Sequence, residues 1–155
     1  MQWIGLLAWF GICFAVAGLG SWWTAGEITG WYRNLVRPEI APPNGVFGPV
    51  WTLLYTLMAI AAWLVWQSPS SPLRSLSLEL FLLQLVLNLG WSLIFFRLHA
   101  LRTALAEILF LWATIGITTL VFFQIAPLAG CLMAPYWAWV TFAAILNAAF
   151  LRLNG

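Results

Sequence analysis

Gln84, Asn88, Trp91 and Phe95 recur at intervals of four, three and four residues inside an otherwise apolar stretch, which sets two amides and two aromatic rings on one helix face. Trp139, Ala143 and Asn147 step by four in a later stretch, and Trp51, Tyr55, Ala59 and Ala62 nearly do so in an earlier one. Amides and indoles at this spacing are not an acid–base pair. They supply hydrogen bonds and flat ring faces, which serve either as the wall of a ligand pocket or as glue between helices, each polar contact worth roughly 1 kcal/mol. Spacing alone leaves both readings open.

Conventional catalytic groupings are absent from the sequence. There is no Ser/His/Asp arrangement, no HExxH and no phosphate loop, and the acids stand singly at Glu27, Glu39, Glu79 and Glu107. An intramembrane carboxylate is functional by default, whereas a partner in Arg102 or access to water at the helix end gives Glu107 a structural role. His99, between Arg97 and Arg102, reads as a solvated interfacial residue. Cys13 and Cys131 show no CxxC spacing and no nearby histidine, so both read as structural buried thiols, with no disulfide and no metal site indicated.

The elements that must position these residues are helices across a bilayer. Of the 155 residues, 64% are hydrophobic and 6% charged, and the charges fall mainly between five apolar runs, leaving no sequence for a soluble domain. The runs Trp3 to Trp23, Val46 to Trp66, Leu80 to Phe96, Ile108 to Ala126 and Pro127 to Leu151 are each near the roughly 20 residues a helix needs to span the hydrocarbon. They do not alternate apolar and polar, which excludes a β-barrel. The expected fold is an all-α integral membrane protein, one domain over residues 1–155, built as a five-helix bundle. Its helices are expected at about 3–25, 44–67, 77–97, 101–125 and 127–152. The first run lacks a basic leader and a convincing cleavage site and is expected to be retained.

The chain has six arginines and no lysine. Arg33, Arg37, Arg97, Arg102 and Arg152 fall on one side and Arg74 on the other, so the positive-inside rule predicts a cytoplasmic C-terminus and an outside N-terminus. No basic stripe suggests nucleic acid. At ~1.5 Å per residue, Trp51, Asn88, Trp91, Ala143 and Asn147 all lie about 7–13 Å from the cytoplasmic ends of their helices and Trp139 about 20 Å. One level of the bilayer, beneath the first connection, therefore collects them.

That connection, residues 26–43, carries Pro38, Pro42 and Pro43 with Gly26 and Gly30, which forbid a long helix. Trp31, Tyr32 and Leu35 are too apolar for a solvated tether. The composition fits a lid over the bundle mouth, with Trp31, Pro42 and Pro43 as its candidate residues, or an interfacial loop with anchoring aromatics.

Tyr32 with the stretch Pro38 to Pro43, then Val46, Phe47, Gly48, Pro49, Val50, Trp51, Thr52, Leu53, Leu54 and Tyr55, resembles the signature of the TspO/translocator protein family, also called tryptophan-rich sensory proteins or peripheral benzodiazepine receptors. Gln84, Leu87, Asn88, Trp91, Ile94, Phe95 and Phe96 resemble its third-helix motif, and Pro135, Tyr136, Trp139, Phe142, Ala143, Leu146 and Asn147 its fifth. The resemblance spans the whole chain in order.

It implies a five-helix bundle, often a homodimer, and a cytoplasmic-side cavity under the first loop. Such a cavity binds porphyrins such as protoporphyrin IX, isoquinoline carboxamide or benzodiazepine drugs, and sometimes sterols. The family's lining positions fall here on Tyr32, Trp51, Asn88, Trp91, Trp139, Ala143 and Asn147. The implied function is a receptor or sensor in a bacterial cell membrane that requires no cofactor and takes porphyrin as ligand. The alternatives are light- and oxygen-dependent porphyrin degradation, with Trp51 and Trp139 as catalytic residues, and transport of porphyrin or lipid. No histidine or cysteine lies at the depth needed to ligate haem iron, which favours a metal-free porphyrin over haem. The sterol pattern of animal members is broken here, since Phe150 stands where the tyrosine before Arg152 is required.

Overall fold

The computed structural model describes residues Gln2–Gly155. Five long helices follow one another: α1 (Gln2–Thr29), α2 (Phe47–Gln67), α3 (Pro72–Ser92), α4 (Leu101–Ile125) and α5 (Pro127–Asn154). A single π-helical turn, Leu93–Arg97, prolongs α3, and short 3-10 turns at Tyr32–Asn34 and Asn44–Val46 punctuate loop 1, the connection between α1 and α2. All five helices are long and apolar enough to cross a membrane.

Local chemistry accounts for the boundaries. Ser71 caps α3 by accepting from the Arg74 N–H at 3.1 Å, with Pro72 at the first helical position. Helix α3 therefore begins at Pro72 and not near residue 77, because the cap precedes the apolar run that marks the helix in sequence. Ala126, forced into an extended conformation ahead of Pro127, breaks α4 from α5. Helix α1 continues to Thr29, so Glu27 sits in its last turn and loop 1 is shorter than the expected 26–43.

In cross-section the helices form a ring in which α1 touches α2 and α3, α2 touches α5, α5 touches α4, and α4 closes onto α3. Small residues set the closest approaches. Ala59, Ala61 and Ala62 of α2 are fully buried, and a Cβ added to Gly130 on α5 would lie 2.5 Å from the Phe123 Cβ. Ala104 and Ile108 of α4 are buried within the chain and so serve its own bundle, whereas Gly11 and Ala15 of α1 face outward. The outer surface is apolar: Trp3, Leu7, Trp22, Val86, Leu120 and Leu128 are well exposed, the inverse of a water-soluble surface and the surface a lipid bilayer covers. The chain is an integral multi-pass membrane protein.

The two ends of the bundle differ. At one, the Trp63 indole donates to the Gln2 carbonyl at 3.0 Å and Arg74 donates to the Trp66 and Ser68 carbonyls. At the other, the Val36 backbone and the Asn154 side chain exchange two hydrogen bonds of 2.8 and 3.0 Å, tying loop 1 to the end of α5. That second end holds the other five arginines. Cys13 is buried, but Cys131, near the start of α5, is exposed, contrary to the expectation of two buried thiols.

Candidate functional site

A cavity of about 680 Å³ lies among α1, α2, α3 and α5 at the arginine-rich end, within the roughly 300–1,000 Å³ usual for small-molecule sites. Tyr32 from loop 1, Trp51 from α2, Asn88 and Trp91 from α3, and Trp139, Ala143 and Asn147 from α5 all line it. Helix α4 contributes no lining residue and stands behind the wall.

The two buried amides in the wall, Asn88 and Asn147, have structural tasks. Asn147 accepts from the Trp91 indole N–H at 3.0 Å and donates to the Leu101 carbonyl at 3.1 Å, which pins the Trp91 ring to the start of α4. Asn88 accepts from the Tyr55 hydroxyl at 3.0 Å and donates to the Tyr136 hydroxyl at 2.9 Å. The glue and pocket readings are thus combined: the amides join helices and thereby hold aromatic rings at the cavity. Trp51 packs against Tyr55 and Tyr136, with ring centroids 5.6 and 6.2 Å away, and Trp139 against Phe47 and Phe142 at 6.0 and 5.5 Å. Among the described residues neither the Trp51 nor the Trp139 indole N–H donates to a protein group, so both remain available to a ligand.

Phe95 and Phe96 of the π-helical turn both line the cavity.

Trp31, Pro42 and Pro43 do not line the cavity, whereas Tyr32, Asn44 and Gly45 do. Trp31 instead stacks on His99, with centroids 4.2 Å apart, and meets Phe95 edge-on. The Pro42 carbonyl accepts from Arg37, which also donates to Asn44 Oδ1 and lies over the Tyr32 ring. His99 is not simply solvated, since its Nε2 is 3.0 Å from the Glu27 carboxylate, within hydrogen-bond distance. Its φ of 54° is a left-handed conformation that costs a non-glycine residue energy, a strain offset by this pair and by the Trp31 stack. Glu107 makes no pair with Arg102: its carboxylate oxygens are buried beside Gly90 without a hydrogen-bond partner.

Burial pushes the Tyr32 phenol above its ordinary range, while the neighbouring Arg37 guanidinium pulls it down by less. Among the described residues no cluster of three His, Cys, Asp or Glu side chains converges to hold a metal ion.

Two contributions escaped the sequence reading. Tyr136 lies three residues before Trp139 and so on its face, but its role as a buried junction depends on α3. Ala17, Ser21, Thr24 and Ile28 of α1, spaced four, three and four apart, line the cavity too. Their small and hydroxyl side chains make a periodic stripe that could have been found.

Residues 9–153 match the sequence profile of the TspO/MBR family. The chain is 38% identical over 148 residues to the tryptophan-rich protein TspO of Chlorobaculum tepidum, covering 93% of this chain and 92% of that protein. It is 37% identical to the tryptophan-rich sensory protein of Cereibacter sphaeroides, covering 99% and 94% of the two chains, and 36% identical to the human translocator protein, covering 88% and 82%. Near-complete coverage at this identity, on a five-helix bundle carrying the aromatic cavity, establishes that the chain belongs to the TspO/MBR family.

Proposed function

We propose that the protein is a membrane receptor or sensor that holds a flat hydrophobic tetrapyrrole, metal-free protoporphyrin IX in type, in this cavity under loop 1. The observation that carries the reading is the wall itself: three tryptophans, Trp51, Trp91 and Trp139, around one cavity, with the indole N–H groups of Trp51 and Trp139 free for a ligand. Aromatic faces stack on a macrocycle, and free donors meet its carboxylates. The names of the relatives, a sensory protein and a translocator protein, accord with binding of a small ligand at the membrane. The lid end faces the cytoplasm by the positive-inside rule. The same proposal includes a homodimer, for which the outward Gly11 and Ala15 of α1 allow close helix packing.

The test is a protoporphyrin IX titration of the detergent-solubilised protein in darkness, followed by tryptophan fluorescence. Saturable binding weakened about tenfold or more by Trp51→Phe and by Asn88→Ala is expected, the loss of one good contact of ~1.4 kcal/mol or more. Unchanged affinity in both variants would reject the site.

A second reading, photo-oxidation of the bound porphyrin, is favoured by one feature: Trp51 packs against two further oxidisable rings, Tyr55 and Tyr136. It requires a porphyrin product that depends on light, oxygen and Trp51. A rate equal to that in free solution removes this reading and leaves the receptor.

A further inference from the structure

Beneath the cavity, buried polar side chains form one directed chain. The Tyr55 hydroxyl donates to Asn88 Oδ1 (3.0 Å), Asn88 Nδ2 donates to the Tyr136 hydroxyl (2.9 Å), that hydroxyl donates to Gln84 Oε1 (2.7 Å), and Gln84 Nε2 meets the Met58 thioether (3.9 Å). Tyr55 and Asn88 line the cavity; Tyr136, Gln84 and Met58 do not, and all three are fully buried.

The direction of this chain is set at its buried end. A thioether accepts weakly and cannot donate, so Gln84 turns its NH2 toward Met58 and its carbonyl toward Tyr136. A phenol has one proton. Tyr136 commits its proton to Gln84 and can only accept from Asn88, which obliges Asn88 to turn its carbonyl toward Tyr55. Tyr55 then commits its own proton to Asn88 and has only lone pairs left.

We infer that Tyr55 is an acceptor-only contact at the cavity floor, selective for flat aromatic ligands that present an N–H or O–H donor, and that Gln84 and Tyr136 are positioning residues that set this polarity without touching the ligand. The inference rests on the cavity being a ligand site. It also specifies what should happen when the buried end is altered. Gln84→Met removes the acceptor, so the Tyr136 proton turns to Asn88, the Asn88 amide reverses, and the Tyr55 proton is released toward the cavity. The floor changes from acceptor to donor.

Three tricyclic probes of nearly one shape separate these states: carbazole carries an N–H donor, dibenzofuran an ether acceptor, and fluorene neither. Calorimetric titration of the full chain in detergent should show carbazole binding about fivefold tighter than fluorene to the wild type, the net effect of one hydrogen bond. In Gln84→Met that advantage should vanish and dibenzofuran should gain on fluorene. In Tyr55→Phe the carbazole advantage over fluorene should likewise vanish. Circular dichroism and monodispersity establish that each variant is folded. Equal wild-type affinity for carbazole and fluorene overturns the inference without recourse to any variant. So does a Gln84→Met that weakens all three probes together, which is what a purely structural role does. If neither the probes nor protoporphyrin IX binds the wild type saturably, the cavity reading fails and takes this inference with it.

Discussion

Asn147 is buried, and its amide has two partners on two other helices: the Trp91 indole and the Leu101 carbonyl. Asn147→Leu keeps the branched shape but abandons the indole N–H and the Leu101 carbonyl, so it is expected to lower thermal stability in detergent by about 1–3 kcal/mol, the cost of buried polar groups left unmade. Porphyrin affinity should fall as well, because Trp91 is no longer held at the wall. Tyr32 makes a pH-dependent prediction. Its phenol titrates above the ordinary range, burial outweighing Arg37, so tyrosinate is absent at neutral pH and forms only as pH rises beyond that of a free phenol. An alkaline ultraviolet titration of the free protein, read as the difference between the wild type and Tyr32→Phe, should therefore show the Tyr32 phenolate only above the free-phenol range, and a difference titrating in the ordinary range would contradict this. The wall residues Trp51, Asn88, Trp91 and Asn147 were legible in sequence because a polar or indole group inside an apolar run has few other places to go. The partners Tyr136 and Leu101 were not, since nothing in α3 names the residue that faces Asn88 across the bundle and nothing in α5 names the one that faces Asn147.

At the scale of elements, loop 1 is held at both ends by different means. Near α1, Trp31 stacks on His99, which pairs with Glu27; farther along, Val36 is clasped by Asn154. Asn154→Ala removes the second clasp alone. Hydrogen exchange at Val36 should become faster, and bound porphyrin should dissociate several times faster, with the helices unaffected. The α4–α5 contact rests on absent side chains: with a Cβ at Gly130 only 2.5 Å from that of Phe123 and 2.7 Å from its Cα, relief requires backbone movement. Gly130→Ala is expected to cost about 1–3 kcal/mol in spite of its better helix propensity. A melting temperature equal to or above that of the wild type would mean that the helices shift freely. Composition marked loop 1 as irregular but not which of its aromatics turn inward. That choice is made by the 3-10 turn at Tyr32–Asn34 and by Arg37, whose partners in space are Tyr32, Pro42 and Asn44.

For the whole molecule, the unequal sharing of arginine between the two ends predicts orientation. Ser70 is exposed in the connection between α2 and α3, at the end opposite the lid. In a Cys131→Ser background, a membrane-impermeant maleimide applied to intact cells should label Ser70→Cys and leave the background itself unlabelled. Labelling only after the membrane is permeabilised would reverse the assignment and place the lid outside.

Residue order alone sufficed to show that this is a five-helix membrane protein, which of its ends carries the positive charge, and that a band of tryptophan and asparagine lies at one depth. Hydrophobicity, helix rise and charge placement act along the chain, so each is readable without knowing what the chain folds against. Packing in three dimensions was needed to show that α4 lies behind the cavity wall, that Asn44 and Gly45 line the cavity and Pro42 and Pro43 do not, and that Tyr136 joins Asn88 to Gln84. Those outcomes depend on the order of helices around the ring and on which donor finds which acceptor across it. A hydrogen bond between residues 52 positions apart has no local signature, because its geometry exists only once the helices have packed.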